Sequence, residues 1–545
     1  MRILVFHGYL LAGTGSNVYN ARLAAAFVAL GHDVHLLSQD RRAERQSFVD
    51  AVGDWDAGEL RVRDVRPTGA AAPVRCTVYR PNIGSLLPVY VADRYEGIEA
   101  RTFAECSDEE IARYVEANVL AVRELVELVA PDVALANHLV MGPVILARAL
   151  GGKVAYAVKV HGSALEYTVK PEPERFLPLA REGLSGASGI LVGSHHTAAS
   201  LWQALGDANV ERRTRLGPPG VDVERFAPRS REDAIEGVHA LAARLRDEDA
   251  SARRTLSRKA GAAGREGAER ASAEQADAFA RDTGAAARAL AELQPERDRL
   301  VAFVGKLIVS KGVDLLLAAW PLVLERVRNA QLVVVGFGAY REGFEHLRDA
   351  LAAGDLAAAR ELAAAGRSLE GDASDTRPLR HLLAFLEGLD GEQQARYLDA
   401  ARALGERVVL TGRLEHDELT ELLPACEAIV VPSTFPEAFG MVAAEAAACA
   451  ALPISAGHSG LAEVSSALAE AVPSELAGLL SFPVDDDAVT ALAARVVGWL
   501  TADSQARERT RAGLVETVRE RWSWQGVARG VIAAARGELD ELQAP

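Results

Sequence analysis

Residues 427–448 read EAIVVPSTFPEAFGMVAAEAAA. An apolar run of strand length, a proline-bounded turn and an alanine-rich helix follow one another directly. A strand apolar on both faces belongs inside a sheet covered by helices, and parallel strands need a helical crossover, so this stretch predicts a parallel α/β architecture. The turn-to-helix junction is also a natural anion site, because the first helical amides lack internal partners and the helix dipole favours negative charge there. Yet the junction carries Glu437, and Glu445 lies on a helix that is apolar on nearly all sides. Glu437 is accounted for equally well as a first-turn acid that stabilises its helix. Glu445 is not, since a buried carboxylate is costly unless donors reach it, and a sugar diol supplies two.

The same unit recurs in both directions along the chain. Towards the N-terminus lie LVAFVG (300–305), AQLVVVG (330–336) and RVVLTG (407–412), and towards the C-terminus ALPISA (451–456). The first half has its own series: MRILVF, a helix SNVYNARLAAAFVALG closed by Gly31, then DVHLLS, PDVALA, KVAYAVKV and GILVGS. Between the series, GPPGVDVERFAP (217–228) has the turn content of a linker. Two Rossmann-like domains are therefore expected, residues 1–225 and 299–515, with an amphipathic final helix at 516–540 anchored through Trp522 and Trp524. Two segments rich in Ala, Arg, Glu and Asp break the alternation, residues 226–298 and about 344–406, and read as helical insertions. A cap over the active site or a self-association surface is the sharper alternative for them.

A chain of 545 residues with 49% hydrophobic and 25% charged residues supports two or three globular domains. A net charge of -16 argues against a broad nucleic-acid surface and confines any phosphate site to a local cluster. Cys76, Cys106, Cys426 and Cys449 form no paired spacing, which fits a reducing, cytoplasmic setting rather than a zinc knuckle or disulfide framework. His7 and Gly8 interrupt the apolar start MRILVFHGYLLAG and argue against a signal peptide. No run approaches the ~18 apolar residues of a membrane span, and peripheral membrane contact stays open.

Gly13-Thr14-Gly15 follows the first strand and opens a helix, where a loop can meet phosphate. The dinucleotide fingerprint fails at its third small residue, here Val18, and Gly336-Phe337-Gly338 fails likewise at Arg341, so a nicotinamide dehydrogenase is disfavoured. Gly305, Lys306 and Lys311 lie between a strand and a helix, and Lys311 at a helix N-terminus opposes the dipole unless an anion sits there too. They read as diphosphate ligands or as solvated loop lysines. His161 closes the run VAYAVKV at a strand end, as a pocket residue or a satisfied structural histidine; His138 is a weaker candidate. Ser194 looks like the N-cap of a helix beginning at His195-His196. The acidic triplets at 247–249 and 485–487 sit in helical contexts that explain them without a metal.

Together, MRILVFHGYLLAGTGSNVY, VKVHGSALEY, PPGVDVERF, VGKLIVSKGVDLLLAA, LVVVGFG, VVLTGRL and PEAFGMVAAEA resemble, in order, the retaining GT-B glycosyltransferases of family 4, the glycosyl transferases group 1. The pair of glutamates in P-E-A-F-G-x-x-x-x-E is the most specific element. The resemblance implies two Rossmann-like domains facing a cleft, with nucleotide on the C-terminal domain, acceptor mainly on the N-terminal one, and a last helix returning to the first. It implies donor contacts from Gly13, Gly15, Gly305, Lys306, Lys311, Gly412, Arg413, Glu437, Ala438, Phe439, Gly440, Met441, Val442 and Glu445. In that scheme Glu437 meets sugar hydroxyls, Glu445 the ribose diol, Lys306 and Lys311 the diphosphate, and His161 lies beside the anomeric carbon. It further implies sugar transfer from a nucleotide-diphosphate sugar, a UDP-sugar being the commonest donor, without metal or cofactor, to a sugar, lipid or small-molecule acceptor. Two departures stand out: Lys306 replaces the more usual Arg, and SAGHSGLAEV replaces a paired-glycine turn at His458 and Gly460. A nucleotide-sugar epimerase, a phosphorylase and a non-catalytic sugar-nucleotide binding protein are the rival readings on this architecture.

Overall fold

The computed structural model describes residues 1–13, 15–56, 58–65, 75–90, 99–273, 281–371 and 375–545, and for residues 255–273 it describes the backbone alone. Thr14 of the glycine loop and parts of both insertions lie outside these residues. The chain divides into two units, one of Met1–Gly220 with Trp522–Pro545, the other running from Val221 to Arg521.

The first unit is built on strands β1 (Arg2–Phe6), β2 (Asp33–Leu37), β3 (Ala51–Asp56), β4 (Glu59–Asp64) and β5 (Cys76–Arg80). To these are added β6 (Leu86–Val89), β7 (Glu99–Thr102), β8 (Val133–Asn137), β9 (Tyr156–Lys159), β10 (Gly189–Val192) and β11 (Thr214–Leu216). Nine of them form one sheet in the order β11-β10-β9-β8-β1-β2-β5-β3-β4, and β6 and β7 form a small sheet of their own. Pairing is parallel except between β3 and β4, an antiparallel hairpin at the sheet edge that the parallel expectation did not include. Strand order reverses between β1 and β8, so the crevice at the C-terminal ends of those strands is where such a sheet takes ligands. The central strands are buried on both faces, as their unbroken apolar runs require: Leu4, Leu36, Leu135 and Val158 are fully enclosed. Each is worth about 1.5–3 kcal/mol of burial.

The last helix, Trp524–Arg536, packs on this first sheet. Its Trp524 ring lies edge-on to Tyr19 at 5.4 Å, and Leu216 donates its amide to Gln543 O at 2.8 Å. The expected helix at 516–540 is in fact two, since 516–521 complete the helix Ser504–Arg521 of the second unit and Ser523 caps a new one.

The second unit holds β12 (Arg299–Val304), β13 (Ala330–Val335), β14 (Val408–Gly412), β15 (Cys426–Val431), β16 (Leu452–Ala456) and β17 (Ser481–Phe482). They form a parallel sheet in the order β14-β13-β12-β15-β16-β17, with the reversal between β12 and β15. The expected domain edge after residue 225 differs from the observed one at Val221, because Arg225 pairs with Asp417 and Phe226 packs on His416, both inside the second unit.

The first insertion contains the long helix Arg231–Ala273 and the helix Thr283–Ala291. Ala234, Val238, Leu241 and Leu245 bury one stripe of the long helix at helical spacing. The second insertion contributes helices from Arg341 to Arg407, whose Phe344, Leu347, Leu351, Leu382 and Tyr397 are fully buried.

Candidate functional site

Gly305 and Lys306 leave the end of β12, and Pro432 to Gly440 leave the end of β15, so the two candidate donor loops flank the strand reversal of the second unit. Gly312 joins them. Its backbone is left-handed at φ +66°, and a Cβ there would fall 2.0 Å from Pro432 O. The close approach lets Thr434 N–H reach Ser310 O at 2.9 Å. Ser433 Oγ also donates to Ser310 O, at 3.1 Å.

Lys311 and Glu437, expected on phosphate and sugar respectively, are ion-paired through Nζ and Oε1. Beside the pair start two helices, Val313–Arg326 and Met441–Ala448, whose N-cap residues Gly312 and Gly440 offer no side-chain cap. The first amides of a helix lack an i−4 partner within it; at the start of Val313–Arg326 the Leu315 N–H already donates to Gly312 O at 3.1 Å. Ala438, Phe439, Met441 and Val442 are all partly exposed around this junction. Lys306 is partly exposed on the neighbouring loop. The loop is steadied from the second insertion, where Glu370 accepts the Val309 N–H at 2.9 Å.

Glu445 is buried, and its donor is a residue the sequence reading did not single out: His416 Nε2 lies 2.7 Å from Oε1. Gly412 ends β14, and Arg413 lies 5.6 Å over the Phe337 ring and 3.1 Å from Glu415. Carboxylate, imidazole and guanidinium thus lie on adjoining elements of one unit. His416 stands three residues after Gly412-Arg413 at the start of a short helix, which is the only local sign of its place.

His458, flagged for replacing a glycine turn, holds the Glu437 loop from behind. Its Nε2 lies 2.8 Å from Ser433 O and its Nδ1 3.1 Å from Ser459 Oγ. A carbonyl only accepts, so Nε2 carries the proton and Nδ1 accepts from the serine hydroxyl. Ser459 Oγ in turn accepts the Glu437 N–H at 2.9 Å. Gly460 completes the hold by donating to Glu437 O at 2.9 Å. A Cβ at Gly460 would fall 2.7 Å from Ala438 C and Phe439 N.

In the first unit, His7, His138 and His161 follow the ends of β1, β8 and β9, three adjacent strands at that sheet's reversal. His161 precedes the short helix Gly162–Ala164, and its Nε2 lies 3.0 Å from Asn137 Oδ1. The ring is 4.8 Å from His138 and 5.1 Å from Tyr19. Burial holds both imidazoles well below the usual histidine value. His138 is enclosed between Tyr90 and His7, with neither ring nitrogen hydrogen-bonded among the described residues, so it packs rather than lines a pocket. His7 is pushed down to about 4 by burial. Its Nε2 donates to Leu10 O at 2.8 Å and Asn17 Oδ1 at 3.0 Å, and its Nδ1 accepts from Asn20 at 3.0 Å. The ring therefore ties the start of the glycine loop to the helix Gly15–Ala29; Gly13, at φ +101°, is exposed in that loop and Gly15 opens the helix. Lys159, buried at the end of β9, donates to Gly217 O, and burial pushes its ammonium down to about 7.

Ser194 caps the helix His195–Leu205 as expected, accepting from Thr197 N at 3.2 Å. Among the described residues no three His, Cys, Asp or Glu side chains are grouped to hold a metal ion, and no helix is long and apolar enough to cross a membrane. Asp249 pairs with Arg253, and Asp485 accepts the Asp487 amide ahead of the helix Ala488–Thr501.

Residues 14–220 match the glycosyl transferase 4-like domain, and residues 381–511 match glycosyl transferases group 1. An uncharacterized glycosyltransferase of Methanocaldococcus jannaschii is 25% identical over 235 residues, 43% of this chain and 44% of that protein. The D-inositol 3-phosphate glycosyltransferase of Segniliparus rotundus is 28% identical over 255 residues, 47% of this chain and 43% of that protein. The alignments thus span less than half the length of these curated relatives. The fold is similar to that of Anabaena HepE in complex with UDP and glucose, with a TM-score of 0.53 and 15% identity over 99% of this chain and 100% of that one.

Proposed function

This chain belongs to the group 1 glycosyl transferases of GT-B fold, and from that premise we propose that it moves a sugar from a nucleoside diphosphate sugar to an acceptor hydroxyl, with retention and without metal or cofactor. The observation that carries the reading is the Lys311–Glu437 pair at the strand reversal of the second unit, between two helix N-termini that lack side-chain caps. A diphosphate placed there meets Lys306, Lys311 and the first-turn amides, all of which favour the charge that grows on the leaving oxygen. The sugar hydroxyls then replace Lys311 as the partners of Glu437. The ribose diol donates to Glu445, whose carboxylate His416 already orients. UDP is the favoured nucleotide, as the complex of the similarly folded HepE contains it.

His161 acts as a neutral ring. Asn137 donates its amide to Phe6 O at 3.3 Å, so its Oδ1 faces the imidazole and the proton belongs on Nε2. The Nδ1 lone pair is then suited to accept from a hydroxyl donor. With no protonated acid in that scheme, the departing phosphate oxygen takes the proton of the acceptor hydroxyl as the new bond forms on the same face. The cysteines Cys76, Cys106, Cys426 and Cys449 are free and buried, which favours a reducing cytoplasmic compartment.

The test is a thermal-shift panel of UDP-, GDP- and ADP-sugars, followed by nucleotide release with candidate acceptors. At least one donor raises the melting temperature, because a ligand selective for the folded state must. A flat panel sinks the donor-site reading, and binding without acceptor-dependent nucleotide release sinks transfer.

A further inference from the structure

The helix His416–Leu422 is too short to hold its own position, since isolated helices of fewer than about a dozen residues are marginal in water. Its acids are all held by arginines from the segment that precedes β12. Asp417 pairs with Arg225, Glu421 with Arg229, and Glu418 with Arg281. The last pair is the most enclosed, with the Glu418 side chain 5% and the Arg281 side chain 21% exposed.

Arg281 uses its fork on two elements. Nη1 donates to both Glu418 oxygens, at 2.7 and 2.8 Å, and Nη2 donates to Glu248 of the long insertion helix at 2.9 Å. Glu418 Oε2 also accepts the Glu415 N–H at 2.7 Å, which closes a capping box and fixes His416 as the first helical residue. His416 is the residue that meets Glu445, and Phe226 packs against its ring at 4.9 Å. The chain of contacts runs from insertion helix to Arg281, Glu418, helix start, His416 and Glu445.

We infer that the first helical insertion is a brace for the nucleotide end of the donor site and that Arg281 is its positioning residue. The inference rests on the donor role proposed for Glu445. Without the guanidinium, Glu418 is a buried carboxylate with one amide donor, and the helix start gives way to let water reach it. His416 then loses its register against Glu445, and the ribose contact weakens although no ligand-binding residue has changed. Lysine cannot replace the fork, since one ammonium does not serve Glu418 bidentately and Glu248 together.

The experiment is calorimetric titration of the full chain with UDP, GDP and ADP, at a temperature where circular dichroism shows every variant folded. Arg281→Met is expected to raise the dissociation constant of the bound nucleotide about tenfold, and Arg281→Lys about threefold. Arg229→Met removes a pair at the far end of the same helix; it lowers the melting temperature and leaves the dissociation constant within twofold. Donor KM rises with Arg281→Met while kcat holds. If the wild type binds a nucleotide and both Arg281 variants match it, the brace is wrong and the donor site stands. If Arg229→Met weakens binding as much as Arg281→Met, the effect is general loosening and the positioning role is overturned. If the wild type binds none of the three, the donor reading falls and this one with it.

Discussion

Lys311 and Glu437 satisfy one another, and both side chains keep contact with water, at 32% and 25% exposure. An ion pair that open to solvent is worth only about 0–1 kcal/mol to stability. On the proposed function, the consequence of breaking it therefore belongs to catalysis. Lys311→Met should leave the melting temperature nearly unchanged and lower kcat about 10²–10³-fold, the scale of removing one donor to a developing oxyanion. Rapid-quench measurement of nucleotide release decides it, and a variant that loses stability in proportion to rate would show the pair to be structural. Glu445 differs because it is buried on His416. Hydrogen bonds to a charged group contribute about 1.5–3 kcal/mol, so Glu445→Ala should weaken nucleoside diphosphate binding roughly 10- to 100-fold. The sharper readout compares the ribose form with its 2′-deoxy counterpart. The wild type should prefer the ribose form, and the variant should bind both alike; a preference that survives the substitution places the diol elsewhere.

Between elements, the proposed donor site depends on how closely loops approach. Gly460→Ala brings a methyl group against the backbone of Ala438 and Phe439, which cannot move without shifting Glu437. Overpacking of this kind costs typically 1–3 kcal/mol, and donor affinity should fall with it. A thermal melt paired with nucleotide titration tests both, and unchanged affinity in a destabilised variant would separate the loop from binding. The strand-turn-helix units were legible in the sequence because buried parallel strands are written as unbroken apolar runs, as in β1, β8, β12 and β15. The β3–β4 hairpin was not, because Glu59–Asp64 is charged and almost wholly exposed, and its pairing comes from position at the sheet edge rather than from apolar pattern. Glu437 and Lys311 stand out in the sequence as an acid and a base near helix starts and Glu445 as an acid on an apolar helix; the structure pairs the first two and buries the third. The supporting residues were not legible: Glu370 and Arg281 lie in insertions with no local signature, and their partners are 61 and 137 residues away. His7 likewise read as an interruption, since only the fold brings Asn17 and Asn20 onto its ring.

At the scale of the whole molecule, the buried histidines of the first unit and the buried Asp314 of the second are shifted in opposite directions. In the first unit burial lowers His7 from 6.5 to about 4 and Lys159 from 10.5 to about 7, with His138 and His161 moved in the same direction as His7. The unfolded chain then binds more protons than the folded one. Stability from His7 is complete above pH 6.5 and is lost as pH falls towards 4, by up to about 1.4 kcal/mol per pH unit for each imidazole. In the second unit burial raises Asp314 from 3.8 to about 7. Here the folded state holds the extra proton, so the contribution is complete below pH 3.8 and is lost as pH rises to 7. The paired surface carboxylates Glu110, Glu182 and Glu421 are lowered from 4.5 and so titrate beneath this range. Between pH 7 and 5 acidification should therefore destabilise the first unit while favouring the second. Trp202 reports on the first and Trp320 and Trp499 on the second, so urea melts of single-tryptophan variants can follow each separately. The midpoint read at Trp202 should fall from pH 7 to 5 as that at Trp320 rises, and Asp314→Asn should flatten the second profile alone. Midpoints that move together would mean that the two units unfold in one transition, in which their opposite proton balances are summed.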